Sequence, residues 1–492
     1  MKTVPSAGLP GPTPGWTVAA VACAAQFMVV LDTTIVNVAL PSMREDLGLG
    51  AGGQQWVVNA YLLTFAGFLM LGGRAADLFG RRRMFTAGLV VFTAASLLGG
   101  LATGGGLLIA ARTLQGLGAA FLAPAPLALI NATYQDVRTR TKAIAAWGAT
   151  ATAAGSCGIL LGGVLTDALG WRWVLFVNVP IGAVLVVVAL RALPGFPGQA
   201  RGRALDVPGA VLVTAALACA SYGLSELETR SFPDPLTGGV LAVAVLLLVA
   251  FLVVEARSAQ PLMPLRIFRS RALVLGNVAA LVIGAVTTSV MFFVTLYLQR
   301  VLGYTPLQAG LAMLPLTLAI AVASLSVRRM VQAMGPRVPL ALGWLLTAGG
   351  LLWQSRFSPG GSFGVDILGP GILLGLGLGA VVLPMTTAAT SSVAAQDAGL
   401  ASALMNTARQ MGGGLGLAVL SAIAATSSGA AAPLTHGYAR ALLVATVLAL
   451  VAGALALLMP RPGSVPAPAP APAPAPQDAA RRPSPTAAEP AE

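Results

Sequence analysis

Two ionisable residues inside otherwise apolar runs are the most informative side chains of the sequence. Of the 16 acidic residues, Asp32 alone lies well inside such a run, and Arg112 lies inside another. An ionised group in hydrocarbon is costly and usually functional, and a buried arginine needs a carboxylate, carbonyl oxygens or water. If both runs are membrane helices, a rise of about 1.5 Å per residue puts Asp32 about 13 Å and Arg112 about 8 Å below the same surface. They can therefore form a direct or water-bridged pair, whose role is either functional or that of a structural hydrogen-bond anchor.

Three other polar residues share one face of the first apolar run. Gln26, Thr33 and Asn37 are separated by seven and four residues, which aligns them along a helix. Asp32 lies about a hundred degrees from that line. We expect the three aligned residues to line a substrate pathway, and we expect Asp32 to face a neighbouring helix instead.

A second polar cluster lies deep in the C-terminal half. Asn406, Arg409 and Gln410 either line the same pathway or tie helices together. The sequence has no Walker-type Gly-rich loop with Lys-Ser or Lys-Thr, so we expect no ATP-driven step. It has no grouping of metal ligands either. We therefore expect neither a metal nor another cofactor.

Composition predicts the elements that carry these residues. Hydrophobic residues make up 57% of the 492 residues, charged residues make up 9%, and the mean hydropathy is +0.84. Soluble domains average about 45–50% and about 25%, respectively, and a chain so poor in charge cannot cover a water-exposed surface. This excludes a soluble enzyme, a secreted disulfide scaffold and a single-span receptor. The sequence predicts an all-α integral membrane protein that is not an enzyme.

Fourteen runs are apolar enough to form membrane helices, which need about 20 residues each. They fall into groups of six, two and six. The first group is 16–40, 54–72, 84–103, 107–131, 143–165 and 172–191. The central pair is 207–225 and 237–254. The last group is 272–298, 307–327, 337–356, 367–390, 400–424 and 438–459.

The cationic residues predict the orientation. With both termini in the cytoplasm, 21 lysines and arginines lie inside and six lie outside, as the positive-inside rule requires. The net charge of +13 then needs no nucleic-acid partner. The predicted units are a cytoplasmic tail 1–15, a six-helix bundle 16–191, a linker with two extra helices 192–271, a six-helix bundle 272–459 and a disordered Pro/Ala-rich cytoplasmic tail 460–492.

The loop Gly73–Arg83, between the second and third runs, combines a turn with charges. Gly80 permits a tight turn, Asp77 offers a carboxylate, and the arginines favour the anionic inner leaflet. On its chemistry alone, this loop could be no more than a topology anchor.

Eight short stretches combine small, polar and turn-forming residues. In chain order they are Leu31–Pro41, Gly73–Arg83, Arg112–Gly118, Gly155–Gly163, Trp171–Trp173, Asn178–Gly182, Gly303–Pro306 and Asn406–Gly413. Together they resemble the major facilitator superfamily, specifically its fourteen-span branch of drug:proton antiporters, which includes bacterial multidrug and antibiotic efflux proteins. The resemblance covers residues 16–459 and implies two parallel six-helix halves with a substrate site between them at the midplane.

The resemblance also implies residue roles. The loop would help latch a cytoplasmic gate, and the two intramembrane charges would couple transport to protons. The implied gate residues are Gly73, Asp77, Gly80 and Arg81, and the implied coupling residues are Asp32 and Arg112.

The fifth-helix stretch resembles the antiporter motif but departs from it at one position. Ile159 stands where that motif usually has proline, which removes a kink determinant. The motif residues are Gly155, Gly158, Gly162 and Gly163, and Gln115 of the fourth-helix motif joins the candidate pathway residues.

The resemblance therefore implies a secondary active efflux transporter that uses a proton gradient as its energy source, exports amphipathic drugs or antibiotics in exchange for protons and thereby confers resistance. We expect it to be a monomer in the bacterial plasma membrane, multi-pass with both termini cytoplasmic. Its expected partners are an amphipathic small molecule, protons and the lipid bilayer. Three alternatives stay open: a dedicated exporter of an endogenous metabolite such as a self-made antibiotic or siderophore, a proton-coupled importer, and a membrane sensor that transports nothing.

Overall fold

The protein is all-helical over the part that the structure covers. The computed structural model describes residues 16–195, 205–227, 234–258, 261–394, 397–425 and 431–459, with the backbone alone described at 431–433. Within these ranges the chain forms α-helices with short 3-10 and π segments and no strand. The predicted tails 1–15 and 460–492 lie outside the described residues.

Eight helices make up the six predicted spans of the N-terminal half. The fourth span breaks at Ala123-Pro124, because proline cannot continue the hydrogen-bond ladder of the preceding helix. The sixth span is a short helix followed by a longer one. The bounds are α1 Thr17–Leu47, α2 Ala51–Phe79, α3 Arg81–Gly100, α4 Gly105–Leu122, α5 Ala125–Thr133, α6 Val137–Leu169, α7 Trp173–Phe176 and α8 Asn178–Ala192.

Eight more helices follow. Several begin at residues that cap a helix N-terminus: Asp206, Asp234, Ser270 and Thr305 each accept a hydrogen bond from a backbone N–H three residues on. The bounds are α9 Val207–Glu226, α10 Pro235–Arg257, α11 Arg271–Leu296, α12 Pro306–Met334, α13 Arg337–Gln354, α14 Gly369–Thr390, α15 Ala398–Ala425 and α16 Ala431–Leu457.

Twelve helical segments of the described chain are long and apolar enough to cross a membrane. Counted among them are α4 with α5 and α7 with α8, each pair as one segment. The other two predicted spans, α13 and α15, are helical over nearly the predicted residues but are not among the twelve. The protein is thus a multi-pass membrane protein, as predicted, with twelve rather than fourteen segments meeting these criteria.

The two halves repeat one arrangement of helices. In the N-terminal half, α1 packs along α6, and α4 packs against both α2 and α3. In the C-terminal half, α11 packs along α15, and α14 packs against both α12 and α13. The halves meet where α6 packs on α12 and where α15 packs on α2. The extra helices α9 and α10 pack on each other, and α9 also contacts α2 and α15.

The outward surface of the helices is apolar. Val245 and Leu246 of α10 are 61% and 67% exposed, Leu325 of α12 is 78% exposed and Leu345 of α13 is 62% exposed. Large apolar surfaces of this kind are unfavourable in water and are expected where helices face lipid.

Candidate functional site

A cavity of about 1220 Å³ lies between the two halves. Its walls come from α1, α2, α4, α5 and α6 on one side and from α11, α12, α14 and α15 on the other. Apolar side chains such as Leu62, Phe65, Met291 and Leu378 make up much of the lining. A cavity of this size and character can hold a bulky, largely apolar molecule.

The cavity reaches one end of the molecule, which we call the Gly80 end because α2 meets α3 there at Gly80. Gly73, Asp77 and Arg81 line it at that end. The opposite end, where α1 meets α2 near Gly50, is called the Gly50 end.

Hydrogen bonds join the halves towards the Gly50 end. The Gln299 Nε2 donates to the carbonyl oxygen of Val38 over 2.9 Å. A guanidinium nitrogen of Arg300 donates to Gln54 Oε1 over 3.1 Å. Both donors lie in the π-helical segment Tyr297–Val301 that follows α11. The halves are therefore drawn together on this side while the cavity separates them towards the Gly80 end.

Asp32 is fully buried in α1 and accepts three hydrogen bonds. Arg112 NH1 of α4 lies 2.6 Å from Oδ2. At Oδ1, Gln115 Nε2 donates over 3.1 Å and Asn178 Nδ2 of α8 donates over 2.8 Å. The pair that the sequence depths allow is thus a direct contact, and Asp32 faces neighbouring helices rather than the aligned polar face of α1.

Arg112 is held on several sides, with only 2% of its surface exposed. Its Nε donates to the carbonyl oxygen of Val57 over 3.1 Å, and NH1 also donates to Gln115 Oε1 over 2.8 Å. The guanidinium carbon lies 4.4 Å from the centre of the Tyr61 ring, within the range of a cation–π contact. A charge with this many partners is stabilised in the apolar interior.

Gln115 corrects the prediction for the substrate pathway. It is fully buried and is not among the residues that line the cavity. Besides contacting Asp32 and Arg112, its Nε2 donates to Ser96 Oγ of α3 over 2.7 Å. Gln115 belongs to the polar network around Asp32 because its face of α4 is turned towards α1 and α3, away from the cavity.

The other predicted pathway residues do line the cavity. Gln26, Thr33 and Asn37 line it from α1. Their alignment on one helical face therefore indicated which side of α1 faces the cavity. From α15 the cavity is lined by Asn406, Arg409 and Gln410.

Arg409 projects from α15 as an exposed cation in the cavity wall. Its guanidinium donates to Asn406 Oδ1 over 3.0 Å. No carboxylate of the described residues forms an ion pair with it. Arg112, by contrast, is 2% exposed and is paired with Asp32.

The loop Gly73–Arg83 makes contacts at the Gly80 end. Asp77 is 67% exposed and lies 3.7 Å from Arg81, and Arg81 also donates to the carbonyl oxygen of Ala128 over 2.9 Å. Gly80 has φ +98°, a conformation that favours glycine. Arg74 donates to the carbonyl oxygen of Pro261 over 2.8 Å, which ties the loop to the segment after α10.

The predicted antiporter motif lies where helices approach closely. Gly158 and Gly162 of α6 face α1, and Cβ atoms there would crowd Thr34 and the carbonyl oxygen of Ile35. A Cβ on Gly163 would lie 2.8 Å from Leu307 Cα of α12, in the other half. The small residues thus permit close helix packing.

Gly155 and Ile159 complete the antiporter motif. Gly155 lines the cavity with open space around it. The helix α6 continues from Val137 to Leu169 without a break at Ile159, as expected when the proline is missing.

Two functional positions were missed by sequence reasoning. Asn178 stood out as part of a family stretch, but nothing in the sequence indicated a hydrogen bond to Asp32. Glu255, near the end of α10, is 2% exposed, and its carboxylate accepts a hydrogen bond from the backbone N–H of Met263 over 3.0 Å. The segment it holds also supplies Pro261 and Leu262 to the cavity lining. The available signal was its position shortly before a segment with two prolines, Pro261 and Pro264.

Comparisons with known proteins agree with this geometry. Residues 22–417 match the family model described as Major Facilitator Superfamily. The cephamycin export protein CmcT of Amycolatopsis lactamdurans is 45% identical over 451 residues, covering 89% of this chain and 91% of the relative. The puromycin resistance protein pur8 of Streptomyces alboniger is 42% identical over 441 residues, covering 88% and 86%.

A solved structure shares the fold. The crystal structure of the peptide transporter POT in complex with sulfate has a TM-score of 0.66 and 17% sequence identity, covering 92% of this chain and 96% of that chain. At this identity the likeness concerns the helix arrangement alone.

Proposed function

Because the chain belongs to the major facilitator superfamily, we propose that it exports amphipathic drugs or antibiotics across the bacterial plasma membrane in exchange for protons, and that it thereby confers resistance. The observation that carries this proposal is the cavity of about 1220 Å³ between the two halves. The buried Asp32–Arg112 pair lies in the N-terminal half, which forms one side of this cavity. The cavity offers a place for the substrate, and the pair offers a place for the proton. The protein is a transporter and not an enzyme.

The lining of the cavity supports an amphipathic substrate. Leu62, Phe65 and Met291 can cover an apolar body, whereas Asn37 and Gln410 offer a few hydrogen bonds. A sugar would need many more polar partners than this wall provides. The printed names of the relatives, an exporter of cephamycin and a puromycin resistance protein, support antibiotics as the substrate class.

Asp32 is our candidate for the proton-coupling residue. As a carboxylate it accepts hydrogen bonds from Arg112, Gln115 and Asn178. A protonated carboxyl group is neutral and carries one O–H donor, so it no longer matches three donors or balances Arg112. Protonation would therefore favour a different arrangement of α1, α4 and α8, which is how a proton can shift a conformational equilibrium.

Alternating access supplies the transport step. We propose that the bundles 16–191 and 272–459 rock against each other around the cavity, with the linker 192–271 outside that core. The excess of cationic residues at the Gly80 end supports a cytoplasmic position for this end. With that orientation the cavity is open towards the cytoplasm, and we propose that Gly73–Arg83 latches the gate when this end closes.

We also propose fourteen spans. Support comes from the packing of α13 against α14 and α16 and of α15 against α11 and α2, helices that are themselves candidate spans. Reporter fusions at Arg201 and at Pro466 should both report cytoplasm. An outside signal at Pro466 would mean an odd number of spans and would contradict the architecture.

A dedicated exporter of one product is the second candidate. It is favoured by the printed name of CmcT, which describes the export of one antibiotic class. The two candidates differ in breadth: a multidrug exporter should protect against chemically different compounds, whereas a dedicated exporter should protect against one.

The test is protection of a susceptible, efflux-deficient bacterium that expresses the chain. Inhibitory concentrations of a cephamycin, puromycin and a wider panel of toxic amphiphiles are measured against cells with Asp32→Asn protein at equal abundance. We expect raised inhibitory concentrations with the unmutated chain, and we expect dissipation of the proton gradient to abolish the protection. No protection against any compound, or protection that survives loss of the gradient, would contradict the proposal.

A further inference from the structure

Arg409 is an accessible cation in the wall of the cavity. A guanidinium carries five N–H donors and stays charged in proteins. The structure gives Arg409 one side-chain acceptor, Asn406 Oδ1, which is a neutral oxygen. Donors and charge therefore remain for a ligand on the cavity side of α15.

The other ionised groups of the cavity lining are already engaged. Asp77 lies next to Arg81 at the Gly80 end, and Arg74 donates to the carbonyl oxygen of Pro261. Arg112 is bound to Asp32, which is fully buried and accepts three hydrogen bonds. Among the described residues of the lining, Asp77 at the mouth is the one carboxylate. The interior of the cavity thus presents a positive charge and no acidic side chain to a bound molecule.

The backbone around Arg409 is held firmly against α11. A Cβ on Gly284 would collide with the carbonyl oxygen of Arg409, and a Cβ on Gly412 would collide with that of Leu281. Close approach of this kind fixes the position of α15. Thr287 and Thr288 of α11 also line the cavity. The backbone that carries Arg409 is therefore held in place beside the cavity by its packing on α11.

We propose that Arg409 binds the anionic group of an exported amphiphile, with a carboxylate as the simplest case, while the apolar walls cover the rest of the molecule. A cation in an apolar cavity gains most from a ligand that neutralises it, and charge-assisted hydrogen bonds are stronger than neutral ones. A cationic amphiphile would meet repulsion from Arg409 and no carboxylate beyond the mouth. The inference rests on the proposed export function and names its substrate class, amphipathic organic anions.

The test uses two probes that differ at a single group. Dansyl-phenylalanine has a free carboxylate, and dansyl-phenylalaninamide replaces it with a neutral amide. Their affinities are measured by dansyl fluorescence on purified chain in an uncharged detergent. Hydrogen bonds to charged groups contribute about 1.5–3 kcal/mol, so we expect the unmutated chain to bind the carboxylate about tenfold to a hundredfold more tightly.

Three variants locate the preference. Arg409→Gln should bind both probes equally, and Arg409→Lys should recover part of the preference because it restores the charge without the planar fork. Arg329→Gln is the matched control, since Arg329 is exposed on α12 and does not line the cavity; it should keep the full preference. Size-exclusion profiles identify any variant that has failed to fold, and Arg409→Lys then carries the comparison.

Equal affinities in the unmutated chain, no binding of either probe, or a preference that survives Arg409→Gln would overturn the proposal. A lipid phosphate offers the same chemistry, so phosphatidylglycerol is added as a competitor. Its displacement of the carboxylate probe from the unmutated chain but not from Arg409→Gln would assign the site to a lipid headgroup and would also overturn the proposal. The antibiotic protection assay distinguishes failure of the Arg409 proposal from failure of the export proposal. If the chain protects cells but binds both probes with equal affinity, the export function stands and only the role of Arg409 is overturned.

Discussion

The N-terminal and C-terminal halves repeat the same helix contacts but place their intramembrane charges differently. In the N-terminal half, α1 and α4 enclose Asp32 and Arg112, which are 0% and 2% exposed. The corresponding helices α11 and α14 carry no ionised residue after Arg271. In the C-terminal half the charge lies on α15, where Arg409 lines the cavity, whereas its counterpart α6 has no ionised residue between 143 and 166.

The same helix arrangement can therefore hold a buried ion pair in one half and a cation that faces the cavity in the other. A sealed ion pair is stable while both partners keep their charges, so it responds strongly to a proton. A cation at a cavity wall that is not paired with a carboxylate responds to a ligand instead. We therefore propose that proton coupling belongs to the N-terminal half and that recognition of the substrate's anionic group belongs to the C-terminal half.

The largest expected effect comes from the same substitution made in each half. Arg112→Ala leaves the buried Asp32 carboxylate without its cation and should lower the free energy of unfolding by about 3–5 kcal/mol. Arg409→Ala removes an exposed side chain with one hydrogen bond and should cost less than about 1 kcal/mol. Detergent-titration unfolding followed by tryptophan fluorescence measures both.

Equal losses in the two variants would remove the distinction between a sealed and an accessible charge. Arg112→Lys sharpens the same comparison. It should recover only part of the stability, since lysine lacks the planar fork that contacts Asp32, Gln115 and Val57 together.

A smaller loss of stability is expected when a glycine of each half is replaced by alanine, and the two losses should differ. Gly412→Ala would push a methyl group against the carbonyl oxygen of Leu281 and should cost about 1–3 kcal/mol through overpacking. Gly155→Ala on the counterpart helix α6 meets nothing within 4 Å and is the matched control for the unfolding measurement alone, since Gly155 lines the cavity. Unfolding and transport are measured for both variants. If Gly412→Ala matched the unmutated chain in both, the close contact of α15 with α11 would not position Arg409.

The smallest effect on stability is expected in the loop Gly73–Arg83. Asp77 and Arg81 form an exposed pair, which contributes about 0–1 kcal/mol. Asp77→Asn should therefore leave unfolding nearly unchanged, while transport falls because the gate at the Gly80 end no longer latches when it closes. The related loop of the other half, Gly335-Pro336-Arg337, has no aspartate. We therefore expect a carboxylate to latch the gate in the N-terminal half alone. Unchanged efflux at equal abundance would reduce the loop to a topology anchor.

Much of this fold follows from local properties of the sequence. Apolar runs predict the helices because each run must satisfy its backbone within the membrane, and the start of α9 at Val207 coincides with its predicted start. The fixed rise of a helix predicted compatible depths for Asp32 and Arg112. The direction in which Gln115 points could not be predicted, because it depends on how α4 is rotated against α1 and α3. The burial of Glu255 depends on the path of the chain after α10, which no periodicity describes.

The central claim is that Asp32 carries the exchanged proton. In an antiporter, substrate and proton each weaken the binding of the other by the same factor. Adding a substrate to purified chain in weakly buffered detergent solution should therefore release protons, recorded with a pH-sensitive dye. The substrate is an antibiotic against which the chain protects cells.

The decisive sample is Asp32→Asn, whose side chain cannot ionise and stays in a neutral form. We predict that this variant still binds the antibiotic but releases no protons on binding it, whereas the unmutated chain releases them. Proton release by Asp32→Asn equal to that of the unmutated chain would contradict the account, since the exchanged proton would then be held elsewhere.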